Sequence, residues 1–139
     1  MNAARFHHVS LSVADLTAQE AWYGSAFGLI HVDERFEMPE AGVRTVVLSG
    51  AGGLRVEFVE RSGSSPAAYA EPFAATAVQT FTHLALQVPD PDAEFARLAG
   101  DCGAAPVSPP APGVREGVRY AYVADPEGNL LELIEVSGE

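Results

Sequence analysis

The chain states one pattern twice. FHHVSLSVAD at residues 6–15 returns as FTHLALQVPD at 81–90, and LRVEFVE at 54–60 is echoed by the LLELIEV that surrounds Glu132. Both echoes keep the same offset, 75 positions (83 − 8 for His8 and His83, 132 − 57 for Glu57 and Glu132). A repeat of this kind constrains the fold more than any composition figure, because each half must build the same unit. It also places one histidine on an opening strand and one carboxylate on a closing strand in each half. Two imidazoles and two carboxylates form a ligand set for one divalent ion.

Each half reads in the order strand, helix, three strands. In the first, residues 6–13 alternate as a strand, with Phe6, His8, Ser10 and Ser12 on one face. Asp15 is an N-cap for a helix whose apolar residues run from Leu16 to Phe27, and Gly28 stops it. Strands follow at about 30–37, 44–49 and 54–60, separated by turns at 39–42 and 50–53. The second half predicts a strand at 81–88 and a helix opened by Asp90 or Asp92 and closed by Gly103. A short strand at 104–108, a proline-rich loop at 109–113 and two strands at 118–124 and 130–136 complete it. Asp125-Pro126-Glu127-Gly128-Asn129 joins the last two as a hairpin turn, since Pro presets φ and Gly accepts positive φ.

The expected organisation is a first module at 1–60, a linker at 61–79 with a short helix around 67–70, and a second module at 80–139, together one domain. A length of 139 residues suits that size. A four-stranded sheet with one helix covers only one of its faces. Two such modules side by side would join their open faces into a trough lined by His8, Glu57, His83 and Glu132. The two carboxylates lie between apolar neighbours, Val56 and Phe58 or Leu131 and Leu133, and metal ligation offsets the burial of a strand carboxylate. His7, His31, Glu60 and Glu135 lie outside this quartet and read as ordinary surface or satisfied side chains.

Composition excludes several classes. The net charge is −11 and the eight basic residues, all Arg, form no stripe, so nucleic acid is not an expected partner. With 47% hydrophobic and 19% charged residues the chain reads as soluble and globular, and no apolar run is long enough to span a bilayer. The lone Cys102 and the absence of an apolar leader segment predict a reducing, cytoplasmic setting.

Three motifs carry a family resemblance: His-Val-Ser-Leu-Ser-Val-Ala-Asp at 8–15, Trp-Tyr-Gly-Ser-Ala-Phe-Gly-Leu at 22–29, and Asp-Pro-Glu-Gly-Asn-Leu-Leu-Glu-Leu at 125–133. With them the chain resembles the vicinal oxygen chelate superfamily, which includes glyoxalase I, methylmalonyl-CoA epimerase, extradiol dioxygenases and bleomycin- and fosfomycin-resistance proteins. The resemblance implies an α+β fold of two βαβββ modules forming an eight-stranded open cup, commonly in a homodimer. By position it implies His8, Glu57, His83 and Glu132 as metal ligands, with Glu57 or Glu132 also carrying the proton. The retained Glu57 is most similar to the glyoxalase I and epimerase branch. That branch is a metal-dependent isomerase or lyase acting on a small molecule next to a chelated carbonyl. Nitrogen and oxygen donors without thiolate suit Ni, Co, Zn, Mn or Fe(II). Two alternatives follow from the same family. One is a protein that sequesters an antibiotic or aromatic natural product, with Trp22, Phe36, Tyr120, Tyr122 and the 109–113 loop as its lining. The other is an Fe(II) dioxygenase.

Overall fold

Both halves fold as strand, helix and three further strands, and the computed structural model describes residues 3–67 and 71–137. Backbone contacts divide the chain into two units, Met1–Pro66 and Ala67–Glu139. The first unit contains β1 (Val9–Val13), α1 (Leu16–Phe27), β2 (His31–Met38), β3 (Val43–Ser49) and β4 (Arg55–Arg61). The second contains α2 (Pro72–Ala75), β5 (Leu84–Gln87), α3 (Pro91–Gly100), β6 (Ala105–Pro112), β7 (Val118–Ala124) and β8 (Leu130–Val136). The sheet orders are β1-β4-β3-β2 and β5-β8-β7-β6. In each, the first strand lies parallel to the last and the other pairings are antiparallel. This is the expected α+β architecture of two βαβββ modules.

Helix ends follow local chemistry. The Asp15 carboxylate accepts from Ala18 N at 3.0 Å, and the Asp90 carboxylate accepts from Ala93 N at 3.1 Å. Each thereby satisfies a donor that has no partner within the helix. Gly28 closes α1 at φ 67°, a left-handed conformation that favours glycine, and its N–H returns to the Gly24 carbonyl. Helix α3 ends at Gly100, three residues before the expected stop at Gly103.

In the first module α1 packs Tyr23 on Phe58 of β4, ring centroids 4.9 Å apart, over fully buried Val46, Leu48 and Val56. In the second module the fully buried side chains include Leu98 of α3, Val123 of β7, and Leu131 and Leu133 of β8. The apolar neighbours of Glu57 and Glu132 therefore belong to the helix-covered face. Strand alternation turns the two carboxylates the other way.

Two expectations about the strands are corrected. The opening strands begin at Val9 and Leu84, not at residues 6 and 81, so His8 and His83 each stand one residue before the ladder. The proline-rich 109–113 segment is not a loop, because β6 runs through to Pro112. This strand tolerates proline because it lies at the sheet edge, and its pairing with β7 shifts register twice, between Pro106 and Ser108 and between Ser108 and Ala111. The connecting segment holds a short helix at Pro72–Ala75. Most of the 67–70 stretch where it was expected lies outside the described residues. Among the described residues no helix is long and apolar enough to cross a membrane.

The Asp125–Asn129 turn is built around one nearly buried side chain. Asp125 Oδ1 accepts from Glu127 N and Asn129 N, both at 2.9 Å, and Oδ2 accepts from Asn129 Nδ2 at 2.8 Å. Gly128 takes φ 87° as the turn requires. Asp125→Ala would strip these backbone donors of their acceptor and is expected to lower stability by about 2–3 kcal/mol in urea unfolding.

Charge pairs give a pH expectation. Glu60 accepts from Arg44 Nε at 3.0 Å and Nη2 at 2.9 Å, and from Leu16 N at the start of α1 at 2.9 Å. The Arg44 guanidinium, and then the Leu16 amide, hold its carboxyl below the ordinary value of 4.5. The Arg119 guanidinium likewise holds Asp92 below 3.8. A depressed folded pKa contributes stability that is present above the unfolded value and lost as pH falls through the folded one. The urea midpoint should therefore fall as pH drops below about 4.5, and Glu60→Gln should make that fall shallower.

Candidate functional site

Each module brings one imidazole to one carboxylate. In the first, His8 Nε2 lies 3.8 Å from Glu57 Oε1. In the second, His83 Nε2 lies 3.2 Å from Glu132 Oε1. Both carboxylates are mostly buried, with side chains 22% and 16% exposed, and both imidazoles are about one-third exposed. Among the described residues no group of three or more His, Cys, Asp or Glu side chains is gathered for an ion, so the expected quartet stands as two equivalent pairs.

The strand pairing explains why the pairs form. Parallel docking of β1 on β4 sets Ser10 opposite Glu57, and docking of β5 on β8 sets Ala85 opposite Glu132. The histidine, two residues before Ser10 or Ala85, therefore arrives beside the carboxylate on the open face. Ser10 Oγ donates to Glu57 Oε1 at 2.9 Å. Alanine at the equivalent position leaves Glu132 without such a donor from β5.

The imidazoles are oriented by their chain neighbours. His8 Nδ1 lies 2.7 Å from His7 Nδ1, so one of the two nitrogens donates and the other accepts. His83 Nδ1 lies 2.8 Å from Thr82 Oγ1. In both modules Nδ1 is held by the preceding residue and Nε2 faces the carboxylate. Support of this type fixes the tautomer and direction of a metal-binding histidine. The reading of His7 as an ordinary surface side chain missed this contact, and Thr82 was not singled out at all. The repeat conceals the correspondence, since positions 7 and 82 share the offset but not the residue type.

Tyr122 separates the two pairs chemically. It lies opposite Glu132 on β7, its hydroxyl 3.4 Å from His83 Nε2 and its ring edge-on to the imidazole at 5.2 Å. Burial, and then the adjacent Glu132, push the phenol up to about 12, so it remains a neutral hydrogen-bonding group at neutral pH. Val47 occupies the equivalent place opposite Glu57. Tyr120 lies 6.0 Å from Tyr122 on the same face of β7. Trp22 instead packs edge-on against Tyr23 and Phe27 of α1, which places it with the helix rather than with the carboxylate face.

Each pair presents donor types that suit a divalent metal. Two imidazole nitrogens and two carboxylate oxygens are the donor types that borderline and hard cations take, and each imidazole already directs a ring nitrogen at a carboxylate oxygen. Two βαβββ modules of this topology define a glyoxalase-like fold. The chain belongs to the Glyoxalase/Bleomycin resistance protein/Dioxygenase superfamily, whose sequence pattern matches residues 5–133. Among solved structures it is similar to a glyoxalase family protein from Enterococcus faecalis. There the TM-score is 0.79 at 23% identity, over 97% of this chain and 100% of that one. It is also similar to a glyoxylase/bleomycin resistance protein/dioxygenase domain from a Frankia species, with a TM-score of 0.77 at 22% identity over 99% and 96% of the two chains. Glyoxalase I from Zea mays gives a TM-score of 0.71 at 22% identity, over 94% of this chain and 44% of that longer one. At these identities the likeness is one of fold. Comparison with curated proteins gives no significant match.

Proposed function

We propose that the protein is a metal-dependent isomerase or lyase of the glyoxalase type. It would move a proton on the carbon beside a carbonyl of a small molecule with two adjacent oxygens. His8, Glu57, His83 and Glu132 are the proposed ligands. The observation that supports this most is the matched pair of imidazoles, each with Nδ1 held by the preceding side chain and Nε2 facing a carboxylate. A bound divalent ion supplies Lewis acidity and a chelation point for substrate oxygens. Glu57 or Glu132 takes the proton and returns it, acting as base and then as acid. Ser10 holds Glu57 by one oxygen, and Tyr122 stands beside Glu132 as a neutral donor. Ni, Co, Zn, Mn and Fe(II) all suit these donors.

Elemental analysis tests the proposal directly. About one ion per chain is expected after loading and dialysis, and a protein that retains none would refute it. Solvent-deuterium incorporation into 2-oxo and acyl-thioester compounds then identifies the proton moved. A second reading draws on the Tyr120–Tyr122 pair beside Glu132: sequestration of an aromatic natural product without chemistry. Tight binding of such compounds to metal-free protein would favour it, and oxygen uptake with catechols would instead favour an Fe(II) dioxygenase. A homodimer in the cytoplasm belongs to the principal reading, and sedimentation of the purified protein checks the dimer.

A further inference from the structure

A second polar row lies beside the Glu57 row in the first module. His31 is the register partner of Ser49, and Ser49 that of Arg55. Glu34, Val47, Glu57 and Ser10 form the next row of partners along the same sheet. Arg55 and Glu57 are two residues apart on β4, so they project from the same face, about 6.6 Å apart along the strand.

Asp33, at the bulge between Val32 and Glu34, ties the outer row together. It accepts from Arg55 Nε at 2.9 Å and Ser49 Oγ at 3.0 Å, and lies 2.7 Å from His31 Nδ1. Burial works against the Asp33 charge, but the hydrogen bonds from Arg55, His31 and Ser49 hold its carboxyl below the ordinary range. Asp33 is thus a fixed anion that aims a guanidinium.

Arg55 differs from the other paired arginines of its module. Arg35 gives two nitrogens to Glu20 of α1, and Arg44 gives two to Glu60. Among the described residues, the Arg55 side chain is hydrogen-bonded only through Nε, and it is 36% exposed. Its Nη1 and Nη2 atoms form the end of a planar fork that matches a carboxylate. Asp33 offsets much of the positive charge, so selection would rest on paired donors in fixed geometry, not on a broad electrostatic field.

We infer that Arg55 is a carboxylate-docking point and that the substrate is a 2-oxo acid bearing a second carboxylate a short carbon chain away from its chelating oxygens. The chelating half of this inference rests on the function proposed above, whereas the docking half does not.

The test begins with metal-free, 15N-labelled protein and glutarate, a dicarboxylate that lacks the 2-oxo group. Glutarate is expected to shift the Arg55 Nε–H and Ser49 N–H signals saturably, and the uncharged analogue glutaramide is not. Arg55→Gln should abolish the Ser49 shift. Arg55→Lys, which keeps the charge but loses the fork, should weaken it. No saturable shift in the unaltered protein, or an undiminished Ser49 shift in both variants, would overturn the docking point. With metal-loaded protein, 2-oxoglutarate is expected to bind about tenfold tighter than 2-oxopentanoate, the size of one charge-assisted contact, and Arg55→Gln should erase that preference. Equal affinity of the two acids in the unaltered protein would overturn the substrate class. A failure to load metal would count against the four proposed ligands, and the glutarate result would still decide Arg55.

Discussion

His83→Ala is expected to lower divalent-metal affinity at least about 100-fold, at or beyond the upper end of what loss of a supporting partner costs. His8→Ala should do the same. Each variant removes the nitrogen that faces a carboxylate oxygen and leaves Glu132 or Glu57 without its imidazole partner. Equilibrium dialysis with elemental analysis reads the loss without relying on turnover. His7→Ala and Thr82→Val remove only the groups that hold Nδ1, so each should cost about tenfold. Glu135→Gln is the control. Glu135 is the register partner of Arg119, whose guanidinium bonds Asp92 of α3, and it lies on the helix side of the sheet. Metal uptake that survives both His8→Ala and His83→Ala would defeat the ligand assignment.

Phe58→Ala is expected to destabilise the first module by about 3–5 kcal/mol, the usual range for deleting a buried phenylalanine side chain. Phe58 is fully buried, packs on Tyr23, and follows Glu57 on β4. The cavity would open directly beneath the strand that carries the carboxylate. Urea unfolding measures the effect, with an unchanged m-value showing that the folded state has kept its extent. A loss below about 1 kcal/mol would contradict the packing of α1 on β4, since that is the scale of a tolerated hydrophobic exchange. Marginal domain stabilities make the expected loss a large fraction of the total.

Much of this architecture was legible in the residues. The last two strands fall where alternation and the Asp125–Asn129 turn set them, at Val118–Ala124 and Leu130–Val136. The Asp15 cap and the Gly28 stop also match, and Asp90 is the one of the two candidate residues that caps α3, because capping is local chemistry that neighbouring residues specify. What was hidden depends on partners. Residues 6–8 and 81–83 keep a strand-like pattern but stand outside the ladders, and alternation cannot reveal where pairing begins. Residues 109–112 look like a loop because proline is excluded from central strands, and only the edge position of β6 makes them admissible there. The repeat set one histidine on the opening strand and one carboxylate on the closing strand of each half, but that the two stand side by side depends on the strand register. The roles of His7, Thr82 and Tyr122 were hidden too, since each depends on a side-chain direction rather than on a spacing. Glu60 fits the reading of a satisfied side chain, and the structure adds that it accepts from the first amide of α1.

In each module the opening strand is annealed to the closing one, with the other two strands formed between them in the chain. Imidazole and acid therefore stand 49 residues apart in the chain (57 − 8 and 132 − 83) and meet only where the opening strand docks on the closing one. An unfolded module carries both groups yet brings neither to the other. Under the proposed four-ligand site, ion capture should then report that both modules have been completed, which offers a way to follow their assembly in real time.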